Sequence, residues 1–276
     1  MKVLIGLSIW IISLHASAQI QSGTTIVLMS TKDEIVVTAD SRAFNASIDL
    51  DDSCKITALG NRLLIAATGE AFARNSDERL AWDAHTIGRN VFDEISKEES
   101  GEPLAVRVAN AWGNKIKEKL QNDLNINPNE VLLGAKSNSL AHILVAGFDH
   151  DKPVWVAGQI TYRVNPAGVY EAGYSVLHIS TTSGDVALGY TDIANEFLAD
   201  KTPRAIRWRN NLHGNPGDDP IAVGLIEAVR LAIKYTPPIH YGNRTLYPVG
   251  GPIDAVRLSR SNGIQWIQRK PNCPKN

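Results

Sequence analysis

Ser22-Gly23-Thr24-Thr25-Ile26-Val27 is the stretch on which the fold turns. It stands between an apolar N-terminal leader and a β-branched run, so one cut at the Gly23-Thr24 bond makes a threonine the first residue of the remaining chain. Such a residue carries a hydroxyl nucleophile together with a free α-amine, and the amine supplies the base that an internal serine or threonine must find elsewhere in its fold. Gly-Thr-Thr is also an ordinary start for a strand. The residues on either side decide between the two.

Upstream, Lys2, the apolar run Val3 to Leu14 and the small residues Ala16-Ser17-Ala18 read as an export signal over residues 1–18. The run is short for a bilayer span. The expectation is a secreted or periplasmic protein with no membrane contact after signal cleavage. Residues 19–23 are then a short propeptide, 24–270 a single domain and 271–276 a tail.

Downstream, Thr25 to Thr31 and Glu34 to Ala39 form two β-branched runs around Lys32-Asp33, a hairpin signature. Cys54 to Ala58 and Arg62 to Ala67 repeat it around Gly60-Asn61. Apolar residues then recur at three and four from Ser76 to Ile95, behind a capping-box pattern at Asn75 and Glu78, and again from Pro103 to Leu120. Each helix has one apolar stripe, which suits it to lie on a sheet. Strands return at Ala141 to Phe148, Val154 to Arg163, Tyr174 to Ile179 and Val186 to Leu188, followed by a short helix at Thr191 to Leu198. Residues Lys201 to Gly217 read as a surface excursion, Pro220 to Tyr235 as a helix behind Asp218-Asp219, and Ile253 to Leu258 with Gly263 to Gln268 as a closing hairpin. That order predicts an α+β fold, an antiparallel sandwich with helical layers outside.

The 276 residues, 43% of them hydrophobic, are enough for one sizeable core. A net charge of -1, with no basic run interleaved with aromatics, gives no support to a nucleic-acid partner. No metal-ligand spacing is present, so neither a metal nor another cofactor is expected. Cys54 and Cys273 are the only cysteines, and their spacing leaves open whether they pair.

The order of parts and the residues at their joints resemble the catalytic β-subunits of the proteasome, an N-terminal nucleophile hydrolase family. In Thr24-Thr25-Ile26-Val27 they also resemble the peptidase subunit of the bacterial two-component proteasome-like protease. The family's N-terminal threonine, its aspartate at the end of the second strand, its lysine on the third strand and its glycine after the fourth correspond to Thr24, Asp40, Lys55 and Gly69. Asp40-Ser41-Arg42-Ala43 matches as a run, and the layout extends to about Lys270 through Val249-Gly250-Gly251-Pro252-Ile253-Asp254. The resemblance implies a four-layer αββα sandwich and a homo-oligomeric ring acting on peptides or unfolded chains. Thr24 is then nucleophile and α-amine base, Asp40 fixes Lys55 by pairing with it, the Gly69 N-H faces the oxyanion, and Ala67 and Ala71 border an apolar specificity pocket. The family's supporting serines and aspartate are missing, with Gly189-Tyr190-Thr191 and Leu246-Tyr247-Pro248 at the matching places, so Thr191 or Asp192 would have to serve beside Arg42.

Each of these residues also has an ordinary reading: Asp40 as a strand-end cap paired with Arg42, Lys55 as a solvated strand lysine, Gly69 as a turn glycine. Two other functions stay open: a self-processing amidase acting on small amides, and an inactive secreted scaffold of the same fold. Asn45-Ala46-Ser47 and Asn243-Arg244-Thr245 are glycosylation sequons.

Overall fold

The computed structural model describes residues 19–44, 49–50, 54–74, 80–132, 135, 138–199, 201–212, 219–241, 244–271 and 273. The export signal at 1–18, the capping-box pair Asn75 and Glu78, and the sequon asparagines Asn45 and Asn243 lie outside them.

The described residues open with a strand, β1 (Gln19–Ser22), which enters the hairpin β2 (Thr25–Ser30) and β3 (Glu34–Ala39) through Gly23 and Thr24. Short strands β4 (Ala43–Phe44) and β5 (Asp49–Leu50) lead to β6 (Ile56–Leu59), β7 (Leu63–Arg74) and β8 (Leu80–Asp83). Helices α1 (Ala84–Ile95), α2 (Leu104–Ile126) and α3 (Pro128–Val131) precede four strands, β9 (Ser139–Asp149), β10 (Lys152–Val164), β11 (Tyr170–Ser180) and β12 (Gly184–Gly189). Helices α4 (Asp192–Ala199), α5 (Pro203–Asn210) and α6 (Pro220–Tyr235) follow. Then come a minor hairpin, β13 (Ile239–Tyr241) and β14 (Arg244–Leu246), and the closing hairpin β15 (Asp254–Ser259) and β16 (Gly263–Gln268).

Two antiparallel sheets result, one ordered β11-β10-β9-β7-β1-β4-β5 with β6 and β8 also on β7, the other β12-β2-β3-β15-β16. Three apolar layers hold them. Ile65, Ile143 and Val156 of the first sheet pack against Val108, Trp112 and Ile116 of α2. Ile26, Leu28 and Val256 of the second face Leu64, Leu144 and Trp155 of the first. Val27 and Val36 on the outer face of the second sheet meet Leu225 and Val229 of α6. Alternation along β2 and β3 therefore serves two cores, which is why both strands read as almost continuous β-branched and aliphatic runs. The sandwich with helices outside agrees with the expectation from the sequence.

Several boundaries differ, β7 running on to Arg74 among them, and three of the differences concern helices. The helix expected from Ser76 begins at Ala84, because Leu80–Asp83 pairs with β7 and Asp83 caps α1 by accepting the Thr86 N-H at 2.8 Å. Leu80 fits a helical period, but the Trp82 indole N-H reaches the Asp123 carboxylate at 2.8 Å and holds this segment extended. The excursion after Lys201 contains α5, started by Thr202, whose hydroxyl accepts the Ala205 N-H at 3.2 Å. The second helix runs on to Ile126. Among the described residues no helix is long and apolar enough to cross a membrane.

Candidate active site

Thr24 sits where β1 passes into β2, with no exposed surface. Its Oγ1 donates to the Arg42 carbonyl at 3.4 Å. Its own carbonyl accepts the Thr68 hydroxyl at 3.0 Å and the Tyr190 N-H at 3.2 Å. Tyr190 returns the contact by accepting from the Thr25 hydroxyl at 2.6 Å. Gly189 makes this approach possible: its φ is +87° and a Cβ there would lie 1.9 Å from the Thr24 carbonyl oxygen, so only glycine fits.

Gly23 is a glycine for a related reason, since a Cβ on it would meet the Pro248 carbonyl oxygen at 2.2 Å and the Pro248 Cβ at 2.5 Å. The residues before it lie between two strands of the first sheet, with Ser22 opposite Gly69 and Ile20 opposite Phe72 on β7, and Gln21 opposite Phe44 on β4. Gly69 marks the point where β7 meets this strand. Its φ is +86°, and a Cβ would strike the Leu140 carbonyl oxygen at 2.2 Å. It is a strand glycine at a close backbone approach rather than a turn glycine.

Asp40 follows β3 and is fully buried. One carboxylate oxygen accepts the Thr25 N-H at 2.7 Å, and the other accepts the Gly250 N-H at 2.8 Å and the Arg42 N-H at 3.3 Å. Three amides from three segments thus converge on one carboxylate, tying the start of β2, the end of β3 and the loop before β15. Ser41 and Arg42 donate in return to the Gly250 carbonyl at 3.1 and 3.0 Å. The Arg42 guanidinium lies over Gly250, where a Cβ would come within 2.5 Å of its Cζ. Burial pushes the Asp40 carboxyl above the ordinary aspartate value, while these amides and Lys55 pull it down.

Lys55 is 1% exposed, and its Nζ has no hydrogen-bond partner among the described residues. The solvated reading therefore fails for it. The expected pairing with Asp40 is a charge interaction without a hydrogen bond; the hydrogen bonds to the Asp40 oxygens come from the Thr25, Arg42 and Gly250 amides. Burial pushes the Lys55 ammonium well below the usual lysine range and Lys270 adds to this, against Asp40 and Asp83. A buried cation without a hydrogen bond is costly in an ordinary core. Where such a group survives beside a buried carboxylate, chemistry is the first explanation to test.

Around Lys55, Thr57 Oγ1 and His85 Nδ1 lie 3.0 Å apart, and burial pushes His85 down to about 4. The neighbouring Cys54 is disulfide-bonded to Cys273, with the Cα atoms 5.6 Å apart, which settles the pairing the spacing left open. Ala67 and Ala71 are enclosed in the apolar layer beneath α1 and α2. Thr191 and Asp192 stand at the head of α4, one and two residues beyond Tyr190. A cleft of about 710 Å³ opens at the opposite ends of the strands, where Arg260 reaches both Asp33 and Asp151.

The structure thus gathers Thr24, Asp40, Arg42 and Gly69 into one neighbourhood and sets the buried Lys55 in electrostatic reach of Asp40. Thr68, Gly189, Tyr190, Pro248 and Gly250 belong to it as well and were not singled out by their own sequence signals. Glycines beside Thr68, Tyr190 and Pro248-Val249 were the available hint, since close backbone approach needs them. No protein-family model matches the chain, and no curated protein matches it.

Proposed function

We propose that this chain is a self-processing threonine hydrolase of the proteasome β-subunit-like, N-terminal nucleophile type, an exported endopeptidase that frees Thr24 by cutting Gly23-Thr24. The observation that carries the reading is the leader strand: β1 lies as an added strand between β7 and β4 and delivers the Gly23-Thr24 peptide into the centre built around Asp40. A peptide bound this way is held by main-chain hydrogen bonds, the mode in which an extended substrate adds to a sheet.

In the first cut, Thr24 Oγ1 adds to the Gly23 carbonyl carbon, the C-N bond breaks, and the freed nitrogen takes the hydroxyl proton. Water then hydrolyses the ester to a leader carboxylate and the Thr24 hydroxyl, beside the α-amine already freed by the C-N cleavage. That amine, ordinarily titrating at about 7.7 to 8.0, then accepts the Thr24 hydroxyl proton in later turnovers. Lys55, if protonated beside it, lowers its proton affinity by like-charge repulsion. The slot vacated by residues 19–22 receives the substrate, and the Gly69 N-H faces its oxyanion, a contact whose loss typically costs about 2.7 to 4 kcal/mol. Asp40 and Arg42 hold the loop before β15 against the site, and Thr191 and Asp192 supply the polar support that the family draws from serines. The active assembly is a homo-oligomeric ring acting on peptides or unfolded chains.

One observation favours the scaffold reading: Thr24 Oγ1 points its proton at the Arg42 carbonyl in the uncut chain. The test is hydrolysis of unstructured peptides and of small amides by the processed chain and by Thr24→Ala. Peptide cleavage that disappears in Thr24→Ala supports the endopeptidase. Turnover of small amides alone supports the amidase, and no turnover of either supports the scaffold.

A further inference from the structure

The chemistry above uses the head of the chain and leaves its other end unexplained. Lys270 is 4% exposed, a second buried lysine, and lysine is almost never fully buried unless paired. Its Nζ lies 2.8 Å from Asp254 Oδ2, and its N-H donates to Asp254 Oδ1 at 3.0 Å. Asp254 is fully buried and stands opposite Ala39, the residue before Asp40, in the β3-β15 ladder. Three residues after Lys270, Cys273 donates its N-H to the Lys270 carbonyl at 3.3 Å and is bonded to Cys54, the residue before Lys55. The tail is therefore joined to both halves of the Asp40 and Lys55 centre, once through β15 and once covalently. Stability alone does not ask for this, because apolar residues in place of a buried ion pair are often neutral or stabilising.

We infer that Lys270 and Cys273 act as a positioning element of the candidate site: the Cys54-Cys273 bond and the Lys270-Asp254 pair hold a second ammonium near Lys55, and the charge state of Lys55 depends on it. The consequence for catalysis rests on the hydrolase reading; the placement does not. The groups facing Lys55 are Asp40 from the end of β3, Lys270 from the tail with Asp254 behind it, and Asp83 with His85 from β8 and α1, Arg89 lying beyond on α1. Among them Lys270 works with burial to weaken the proton on Lys55, whereas Asp40 and Asp83 strengthen it. Removing the Lys270 charge makes Lys55 a stronger base, and a Lys55 that keeps its proton lowers the proton affinity of a nearby α-amine.

The experiment is a pH titration of the full chain carrying 13Cε-lysine, with the Lys55 resonance assigned through Lys55→Arg. In Lys270→Met the Lys55 midpoint is expected to rise by about one pH unit, the scale of one like charge at moderate separation in a protein interior. Cys273→Ser, which keeps both charges but frees the tail, moves it in the same direction and carries the test if Lys270→Met does not fold. Lys270→Arg stays near wild type. A Lys55 midpoint that is the same in wild type, Lys270→Met and Cys273→Ser overturns the inference. Release of residues 19–23, followed by intact mass across the same pH range, separates the two claims. Release with an unmoved Lys55 midpoint removes the tail's role and leaves the hydrolase standing. A moved midpoint without any release removes the hydrolase and leaves the tail's control of Lys55 standing.

Discussion

Gly23→Ala gives a sharp handle on the self-cleavage step, because its effect is confined to the uncut chain. The added Cβ would lie 2.2 Å from the Pro248 carbonyl oxygen and 2.6 Å from the Pro248 Cα, distances that real Cβ atoms do not show. The atoms it meets are backbone or next to backbone, so no side-chain rotation relieves the overlap. A normal carbon-oxygen contact needs about 1 Å more, so the Gly23 or the Pro248 backbone must move by roughly that amount, and the scissile peptide shifts relative to the loop that holds it. A misplacement of about 1 Å can cost about 10²-fold in rate. The assay is intact mass against time after rapid purification, following the loss of residues 19–23. The expected result is a slowing of about 10²-fold with unchanged circular dichroism. A chain released from an N-terminal carrier directly at Thr24 lacks residue 23, and its peptide hydrolysis serves as the reference for an intact site. Wild-type release kinetics in Gly23→Ala would refute the steric reasoning and with it the claim that Pro248 fixes the scissile bond.

Further consequences concern the carboxylate, one histidine and the crosslink. Asp40→Asn places one amide NH₂ against backbone donors that now meet carboxylate oxygens, leaving at least one buried donor unmatched, a loss of about 1 to 3 kcal/mol read as a lower urea midpoint together with failed processing. An unchanged midpoint contradicts the three-amide geometry. Burial pushes His142 down to about 4 from an ordinary 6.5, so the unfolded chain binds more protons between those values. The stability from keeping His142 neutral is complete above about pH 6.5 and is lost as pH falls toward 4, up to about 3 kcal/mol. His142→Phe should flatten part of this slope in urea titrations at pH 4.5 and 7, and an identical slope would count against it. Breaking the Cys54-Cys273 bond, which spans 219 residues, removes a loop constraint of about 5 kcal/mol in the chain-entropy description. Cys54→Ser should therefore lower the thermal midpoint; one that matches wild type shows that the crosslink adds nothing.

Much of the fold could be read because it rests on local signals. The hairpin at Lys32-Asp33, the helix behind Asp219 and the closing hairpin each carry their own turn or cap, and they stand where the sequence put them. The first helix was misplaced because Leu80 satisfies a helical period, while the pairing of Leu80–Asp83 with β7 and the Trp82 to Asp123 hydrogen bond come from residues distant in sequence. Nothing local marks β1 as a strand, since its partners are Phe44 on one side and Gly69 to Ala73 on the other. At the candidate site, spacing and resemblance picked out Thr24, Asp40, Lys55 and Gly69. Thr68, Tyr190 and Gly250 escaped because they act through backbone groups, or a hydroxyl, at separations of 44, 165 and 210 residues. The burial of Lys55 was likewise invisible, because nothing local in the sequence sets it apart from a solvated strand lysine.

The most direct measurement is the intact mass and N-terminal sequence of the purified protein, for wild type and for Thr24→Ala. Wild type beginning at Thr24, with residues 19–23 retained in Thr24→Ala, is the predicted result, because the hydroxyl removed by the substitution is the group that cuts. Wild type that folds and keeps the Gly23-Thr24 bond contradicts the self-processing threonine hydrolase.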